Sequence, residues 1–129
     1  MKHLLLYVFG FCVLCCCSHG PTPEEVAGQT AKAYYDLLIQ GKYDQFVDGR
    51  YHSDSIPSAY REQLITNAKM FAGWQKKERQ GILNVRVMDV KTDTINQDTN
   101  VLLEFTYGDS TNEVVMVPMV EQDGVWYMR

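Results

Sequence analysis

The sequence predicts an α+β fold in which three N-terminal helices pack against a curved, four-stranded antiparallel meander in a cone-like arrangement. Between Pro23 and about Gln80, apolar residues recur at spacings of three and four, the period of helices with one buried face. From Ile82 onward apolar and polar residues alternate, which is the period of half-buried strands. Helices and strands grouped in separate halves are typical of α+β domains. At 129 residues the chain has room for one such domain, which we assign to residues 23–129.

The first helix is expected to run from Pro23 to about Gln40. Thr22 has the residue type of an N-cap, Pro23 suits the first helical position, and Glu25 completes a capping box. Gly41 then ends the helix. One broad face should be buried, and it comprises Val26, Thr30, Ala33, Tyr34 and Leu37, with Ala27, Ala31 and Leu38 beside them.

Two further helices are expected before the sheet. Residues 42–47 carry apolar side chains at helical spacing, and residues 48–55 have the composition of a turn. Pro57 opens a third helix that should end by Gly81. The apolar stripe of this helix comprises Tyr60, Leu64, Ala68, Phe71 and Trp74.

The rest of the chain carries four strand signals joined by turns. The alternation changes phase at Val90, which predicts a bulge near Met88 and Asp89. Pro118 in the third strand favours a sheet edge or a bulge. Asp123-Gly124 is a hairpin signal. The expected strands cover residues 82–90, 101–107, 113–120 and 125–128.

The charge balance argues against a nucleic-acid partner. The chain has a formal net charge of -4, and loss of Lys2 with residues 1–16 would leave 11 basic and 16 acidic residues, or -5. Binding to a phosphate backbone needs clustered lysine and arginine. The basic cluster Lys76, Lys77 and Arg79 lies at the expected end of the third helix, where it complements the helix dipole.

The N-terminus has the pattern of a secretory signal. Lys2 precedes an apolar run from Leu4 to Leu14, whose eleven residues are about half of the ~20 that span a bilayer as a helix. All four cysteines lie nearby, at positions 12, 15, 16 and 17. Because adjacent cysteines without later partners suit neither a zinc site nor a disulfide framework, these thiols need another explanation.

The cysteine cluster resembles a bacterial lipobox, in which an aliphatic residue and a small residue precede a lipid-modified cysteine. With Leu14 three positions upstream, Cys17 is the expected lipidation site, and Cys16, with Val13 upstream, is the alternative. We therefore expect a signal peptide over residues 1–16, then the lipidated cysteine and a short tether over residues 17–22. Acyl chains would hold the protein at a cell-envelope membrane, on the periplasmic or surface face of the outer membrane.

Two segments carry a family resemblance, "AYYDLLIQGKYDQFVD" at residues 33–48 and "VVMVPMVEQDGVWYM" at residues 114–128. Through them the chain resembles the nuclear transport factor two-like superfamily of cystatin-like α+β cone proteins. More narrowly, it resembles small lipoproteins with that fold from Bacteroides-type bacteria. The resemblance covers residues 23–129 and implies the cone fold. It leaves the activity open, because the superfamily includes isomerases, dehydratases, ligand carriers and interaction domains.

The sequence does not assemble a catalytic site. Superfamily enzymes place Asp, His or Tyr inside the cone, whereas His52 lies in a polar loop and is expected to be solvated. Asp44, Asp48 and Asp54 occupy positions where carboxylates cap helical turns. Arg86 and Glu104 should face away from the helices and form a cross-strand pair. We therefore expect a non-enzymatic protein without cofactor or metal, with a small lyase or isomerase as an alternative.

Aromatic residues are the candidates for a ligand pocket, because rings with polar tips suit an apolar ligand. The expected function is binding of a small apolar ligand in the cone, or of an envelope protein. An alternative is an interaction domain that exposes Leu102, Val114 or Met116 on the outer sheet face while the cone is filled. The oligomeric state stays open. The possible pocket residues are Tyr34, Tyr60, Phe71, Trp74, Phe105 and Trp126.

Overall fold

The computed structural model describes residues 20–129, and within them the chain forms three helices followed by a four-stranded sheet. The strands pair antiparallel in chain order, so the predicted α+β fold with a meander is confirmed. The expected signal peptide of residues 1–16, and the lipidation sites Cys17 and Cys16, lie outside the described residues. The elements are α1 Pro23–Ile39, α2 Tyr43–Asp48, α3 Ser58–Arg79, β1 Ile82–Asp93, β2 Asp98–Tyr107, β3 Asn112–Gln122 and β4 Val125–Met128.

Helix α1 begins and ends as its sequence predicts. The Glu25 backbone N–H donates to Thr22 Oγ1 at 3.2 Å, and Gly41 adopts a φ of +83° after the last turn. The buried face is rotated from the predicted one, because Ala27 and Ala31 are buried whereas Ala33 is exposed.

Close approach to β1 explains this rotation of α1. A Cβ atom on Gly28 would lie 3.2 Å from the side chains of both Val87 and Val90, so the smallest residues of the helix face the strand. Gly28 weakens the isolated helix slightly, but it allows α1 to pack closely on the sheet.

The sheet presents its inner face to α1 and its outer face to solvent. The register shifts between Val87 and Asp89, which confirms the predicted bulge. The Arg86 guanidinium donates to Glu104 Oε1 at 2.9 Å across the outer face, so that expected pair forms. The inner face of β2 is the centre of the core and consists of Val101, Leu103, Phe105 and Tyr107.

Helix α3 stands away from much of the sheet, so much of its predicted apolar stripe is exposed. Tyr60 is 51%, Phe71 40% and Trp74 61% exposed, whereas Ala68 is buried. The reason is that Ile65 and Ala68 pack in a small cluster with Leu38 of α1 and Val47 of α2 rather than on the centre of the sheet.

The two ends of α3 are attached to other parts of the fold. Near its start, the Arg61 guanidinium donates to both carboxylate oxygens of Asp48 at 3.0 Å. Beyond its end, the Gly108 N–H donates to the Gly81 carbonyl at 2.9 Å, and the Asp109 N–H donates to the Arg79 carbonyl at 3.0 Å. The helix is therefore held at its ends while its middle leaves space beside the sheet.

Tyr34 joins helix α1, the chain after α2, and strand β4. Its hydroxyl donates to the Trp126 carbonyl at 2.6 Å, and its ring rests on Gly49, where a Cβ atom would lie 2.5 Å from the ring carbons. The Met128 N–H donates to the Gly49 carbonyl at 2.8 Å, and the Tyr51 N–H donates to the Met128 carbonyl at 2.7 Å. These contacts attach the segment after α2 to β4.

Replacing glycine by alanine should have opposite effects on stability at Gly49 and at Gly73. Gly49→Ala is expected to lower the free energy of unfolding by about 1–3 kcal/mol, because the new methyl group collides with the Tyr34 ring. Gly73→Ala, in the exposed middle of α3 with nothing within 4 Å, is expected to raise it by about 1 kcal/mol. Urea unfolding measures both, and a Gly49→Ala protein as stable as the unsubstituted chain would contradict the contact.

The hydroxyl of Tyr107 should make stability fall at high pH. It donates to Glu113 Oε1 at 2.6 Å, and burial, reinforced by that carboxylate, raises its pKa from 10.0 to about 12. Because the folded-state pKa lies above the ordinary value, its stabilising contribution is complete below pH 10 and is lost as the pH rises towards about 12. Tyr107→Phe should therefore show a smaller loss of unfolding free energy over that range. Equal losses in urea titrations of both proteins would refute this expectation.

Candidate functional site

A cavity of about 320 Å³ opens between helix α3 and the sheet near the junction of β3 and β4. We call it the edge cavity. Its walls come from all three helices and from the last two strands. The lining residues are Tyr35, Phe46, Val47, Arg50, Leu64, Asn67, Ala68, Phe71, Met116, Val117, Pro118, Met128 and Arg129.

The shortness of β4 explains why the cavity lies at this edge of the sheet. Strand β4 pairs with Met119–Gln122 of β3, so the remainder of β3 has no strand on that side among the described residues. Pro118 lies where this pairing ends, and its carbonyl accepts the Arg129 N–H at 2.8 Å. A proline fits here because it has no N–H to leave unpaired, and the predicted edge position is confirmed.

Aromatic rings form the inner wall of the edge cavity. The Tyr35 ring packs between Phe46 and Phe105, with both pairs of ring centroids 5.2 Å apart. Phe105 in turn packs against Tyr107 with a centroid distance of 6.2 Å. Edge-to-face and tilted contacts of this kind are favourable ring arrangements, so the wall is continuous with the aromatic core.

Polar groups at the edge cavity are few and mostly cationic. Arg50, Asn67 and Arg129 lie beside the apolar lining. The Arg129 guanidinium is paired with the Asp98 carboxylate. Burial raises the pKa of the Tyr35 hydroxyl, and the nearby positive charge of Arg50 partly opposes that rise. The cavity therefore combines an apolar body with a positively charged rim.

The backbone of Arg50 is held on both sides. Its own N–H donates to the Val47 carbonyl at 3.1 Å, and it forms a parallel bridge to Met128. The neighbouring Gly49 and Tyr51 both exchange hydrogen bonds with Met128. The position of this arginine at the cavity rim is therefore set by the backbone, while its side chain stays exposed.

The structure places the six sequence-predicted pocket residues in three different environments. Among the described residues of that set, Phe71 lines the edge cavity. Phe105 and Trp126 are buried in the main core, and Tyr34 packs against that core. Tyr60 and Trp74 are exposed on α3.

Sequence reasoning passed over Tyr35 as the wall and Arg50 at the rim of the edge cavity. Tyr35 neighbours a residue of the same type, and the helical pattern could not decide which ring faces the opening. Arg50 lies in a stretch of turn composition that looked solvated. The only signal in the sequence was an arginine directly after the Asp48-Gly49 turn.

The acidic and histidine candidates do not meet at the edge cavity. Asp48 pairs with Arg61, and Asp44 and Asp54 are exposed. His52 is half-buried rather than fully solvated, and it lines a separate polar hollow beside Gln122, Asp123 and Tyr127. Within residues 20–129, no cluster of three His, Cys, Asp or Glu side chains could hold a metal ion.

The outer sheet face carries exposed apolar side chains on β3. Val114 is 52% and Met116 57% exposed, and Leu102 opposite Met116 is half-buried. Met116 also lines the edge cavity, so the two surfaces meet at this residue. This exposure matches one part of the interaction-domain expectation. The other part was a filled cone: Phe105 and Trp126 pack in the core, while the edge cavity lies open beside β3. None of the helices between residues 20 and 129 has the length and hydrophobicity needed to cross a bilayer.

Comparison with solved structures shows the same fold in a protein from a bacterium. The chain superposes on a Campylobacter jejuni protein named "Putative NTF2-like transpeptidase" with a TM-score of 0.62 and 12% sequence identity. The match covers 84% of this chain and 97% of the other. No family model and no curated protein matches the sequence. The structural likeness shows that the chain has an NTF2-like cone fold, as expected from the sequence.

Proposed function

We propose that this protein binds a small, largely apolar ligand in the edge cavity while an N-terminal lipid holds it at a membrane of the cell envelope. The observation that carries the proposal is the open, mostly apolar cavity between α3 and the sheet. An NTF2-like fold is compatible with ligand binding, since its sheet and helices enclose a cone.

The size and lining of the edge cavity support ligand binding. Its volume of about 320 Å³ is at the lower end of the range typical of small-molecule sites. Phe46, Leu64 and Phe71 offer apolar contact area, and removing such area from water favours binding by about 25 cal/mol per Å². Helix α3 is attached to the rest of the fold at its two ends. The middle of the helix is therefore held off the sheet, and the cavity stays open.

The chemistry of the lining favours binding over catalysis. Within the described part of the chain, none of the lining side chains is a carboxylate, imidazole, thiol or serine hydroxyl. A transpeptidase activity, as named for the Campylobacter jejuni protein, would use an activated serine or cysteine nucleophile with a base. The proposal is therefore a non-enzymatic carrier or sensor.

The lipid anchor is supported by the N-terminal sequence. The apolar run and the cysteine cluster precede the fold, and Thr22 starts α1 five residues after Cys17. Tyr35 lies twelve residues along α1 from Pro23, or about 18 Å at 1.5 Å per residue. The cavity would thus lie at the other end of α1 from the tether.

A second candidate function is binding of an envelope protein on the outer sheet face. It is favoured by the exposure of Val114 and Met116, which form an apolar surface together with the half-buried Leu102. Two exposed side chains are a small area compared with the ~1,000 Å² that a stable protein interface buries. Ligand binding in the cavity therefore remains the leading proposal.

Filling the edge cavity should abolish ligand binding. Ala68 is buried on the cavity side of α3, so Ala68→Phe places a ring in the space. We expect the neutral fluorescent probe N-phenyl-1-naphthylamine to bind the unsubstituted domain with enhanced emission, and to bind Ala68→Phe at least about 10-fold more weakly.

Ala59→Phe is the matched control for this experiment. It makes the same change on the same helix at an exposed position outside the lining, so probe binding should be retained. Thermal unfolding establishes that each variant is folded. Absence of binding to the unsubstituted protein, or equal binding by folded Ala68→Phe, would reject the ligand function.

Replacing Cys17 should release the full-length protein from the membrane of bacterial cells. Thioether-linked acyl chains contribute roughly 0.8 kcal/mol per buried methylene, so their loss removes the attachment. Cys17→Ala should move to the soluble fraction, whereas Cys12→Ala, within the expected signal peptide, should stay with the membrane. Mass spectrometry of the mature N-terminus identifies the modified residue. A modified Cys16 would select the alternative site, and an unmodified start beyond Cys17 would reject the anchor.

A further inference from the structure

The arginines of the domain differ in whether they form an ion pair with a carboxylate. Residues 20–129 contain five arginines, and four of them form ion pairs with carboxylates. The fifth, Arg50, has no carboxylate partner within the described part of the chain. The domain has 16 acidic residues, so acidic side chains are not scarce on its surface. Arg50 and Arg129 both border the edge cavity, and of these two only Arg50 is without an ion pair among residues 20–129.

The place of Arg50 suits recognition of a ligand. Its backbone is fixed by the bridge to Met128 and by the hydrogen bond to the Val47 carbonyl, and its side chain reaches solvent at the cavity rim. Asn67 on the facing helix α3 also lines the cavity and supplies amide donors. Because the backbone of Arg50 is already fixed, its side chain loses less conformational entropy when it binds a ligand.

Charge complementarity defines the head of the ligand. A guanidinium binds a carboxylate through two parallel hydrogen bonds, and charge-assisted bonds of this type are roughly twice as strong as neutral ones. Beside apolar walls such a pair is screened less than in open water. An apolar cavity with one unpaired guanidinium at its rim is therefore complementary to an amphiphile with one negative charge.

We propose that the ligand of the edge cavity is a small monocarboxylate amphiphile, whose carboxylate binds Arg50 and whose apolar chain occupies the space against Phe46, Leu64 and Phe71. This inference rests on the proposed ligand-binding function and deepens it. Arg129 is not the recognition group, because Asp98 already neutralises its charge.

Volume limits the length of the apolar chain. A cavity of about 320 Å³ holds about ten groups of water or methylene size at roughly 30 Å³ each. Octanoate matches this size, and octan-1-ol has the same chain with a neutral head. Octyl phosphate carries more than one negative charge at neutral pH, which one guanidinium does not balance. These three compounds separate recognition of a monoanion from binding of any amphiphile.

The test is displacement of bound N-phenyl-1-naphthylamine by each compound at neutral pH. The unsubstituted domain should bind octanoate about 10-fold or more tightly than octan-1-ol, and more tightly than octyl phosphate. Arg50→Gln should weaken the binding of octanoate about 10-fold or more. It should change the affinity for octan-1-ol by less than about 2-fold, because the apolar contacts are unchanged. Arg50→Lys should recover part of the loss, since it keeps the charge without the planar fork.

Arg86→Gln is the matched control, because it removes the same charge from the opposite face of the sheet. It should keep the preference for octanoate, which shows that overall charge is not the cause. The Arg50 side chain is exposed and forms no ion pair within residues 20–129, so Arg50→Gln should unfold at the same temperature as the unsubstituted domain.

Failure of this inference is distinguishable from failure of the ligand function. If the probe binds but octanoate and octan-1-ol displace it equally, or Arg50→Gln keeps the octanoate preference, carboxylate recognition by Arg50 is overturned and ligand binding stands. If octyl phosphate displaces the probe at lower concentration than octanoate does, the proposed preference for a ligand with one negative charge is overturned. If neither the probe nor any of the three compounds binds at millimolar concentration, both the function and the inference are rejected.

Discussion

The contact of the Tyr34 ring with Gly49 is the constraint on which the rest of the arrangement depends. Because Gly49 has no side chain, the ring lies directly on its backbone and the hydroxyl reaches the Trp126 carbonyl. The segment after α2 then pairs with Met128, which ties β4 to the helices. This junction also places Arg50 at the cavity rim and Asp48 within reach of Arg61 on α3. One close approach thus couples all three helices to the last strand.

The edge cavity follows from a mismatch between a short strand and a long helix. Strand β4 covers four residues, whereas α3 runs for 22 residues and is attached at both ends. The helix therefore lies beside a part of β3 that, among the described residues, is paired with β2 but not with β4. The few buried side chains of α3 pack towards α2. Apolar surface left exposed to water in this way lowers the stability of the fold. A ligand that covers this surface would remove it from water and so bind favourably.

Local sequence signals were sufficient to predict the helices and strands, but they did not predict which helix faces are buried. Thr22, Gly41 and the bulge after Val87 act through nearest neighbours, so the sequence predicted them correctly. The pattern of α3 placed Tyr60 and Trp74 on one apolar stripe, and both are exposed in the structure. Helical periodicity reports which residues share a face, but it does not report how much of that face a partner covers. Phe71 alone of the expected pocket residues lines the cavity within the described chain.

The sequence by itself determined the order and type of the elements and the meander, because capping, periodicity and turn chemistry are local. The cone was implied by the resemblance of two short segments to the nuclear transport factor two-like superfamily. The sequence also determined the expectation of a lipid-linked N-terminus, which depends on a short linear pattern. The tertiary structure alone decided that Tyr35 forms a wall of the edge cavity and that Arg50, at its rim, has no ion pair within residues 20–129. Those assignments depend on contacts between residues far apart in the chain, such as Arg50 with Met128, and no local pattern encodes them.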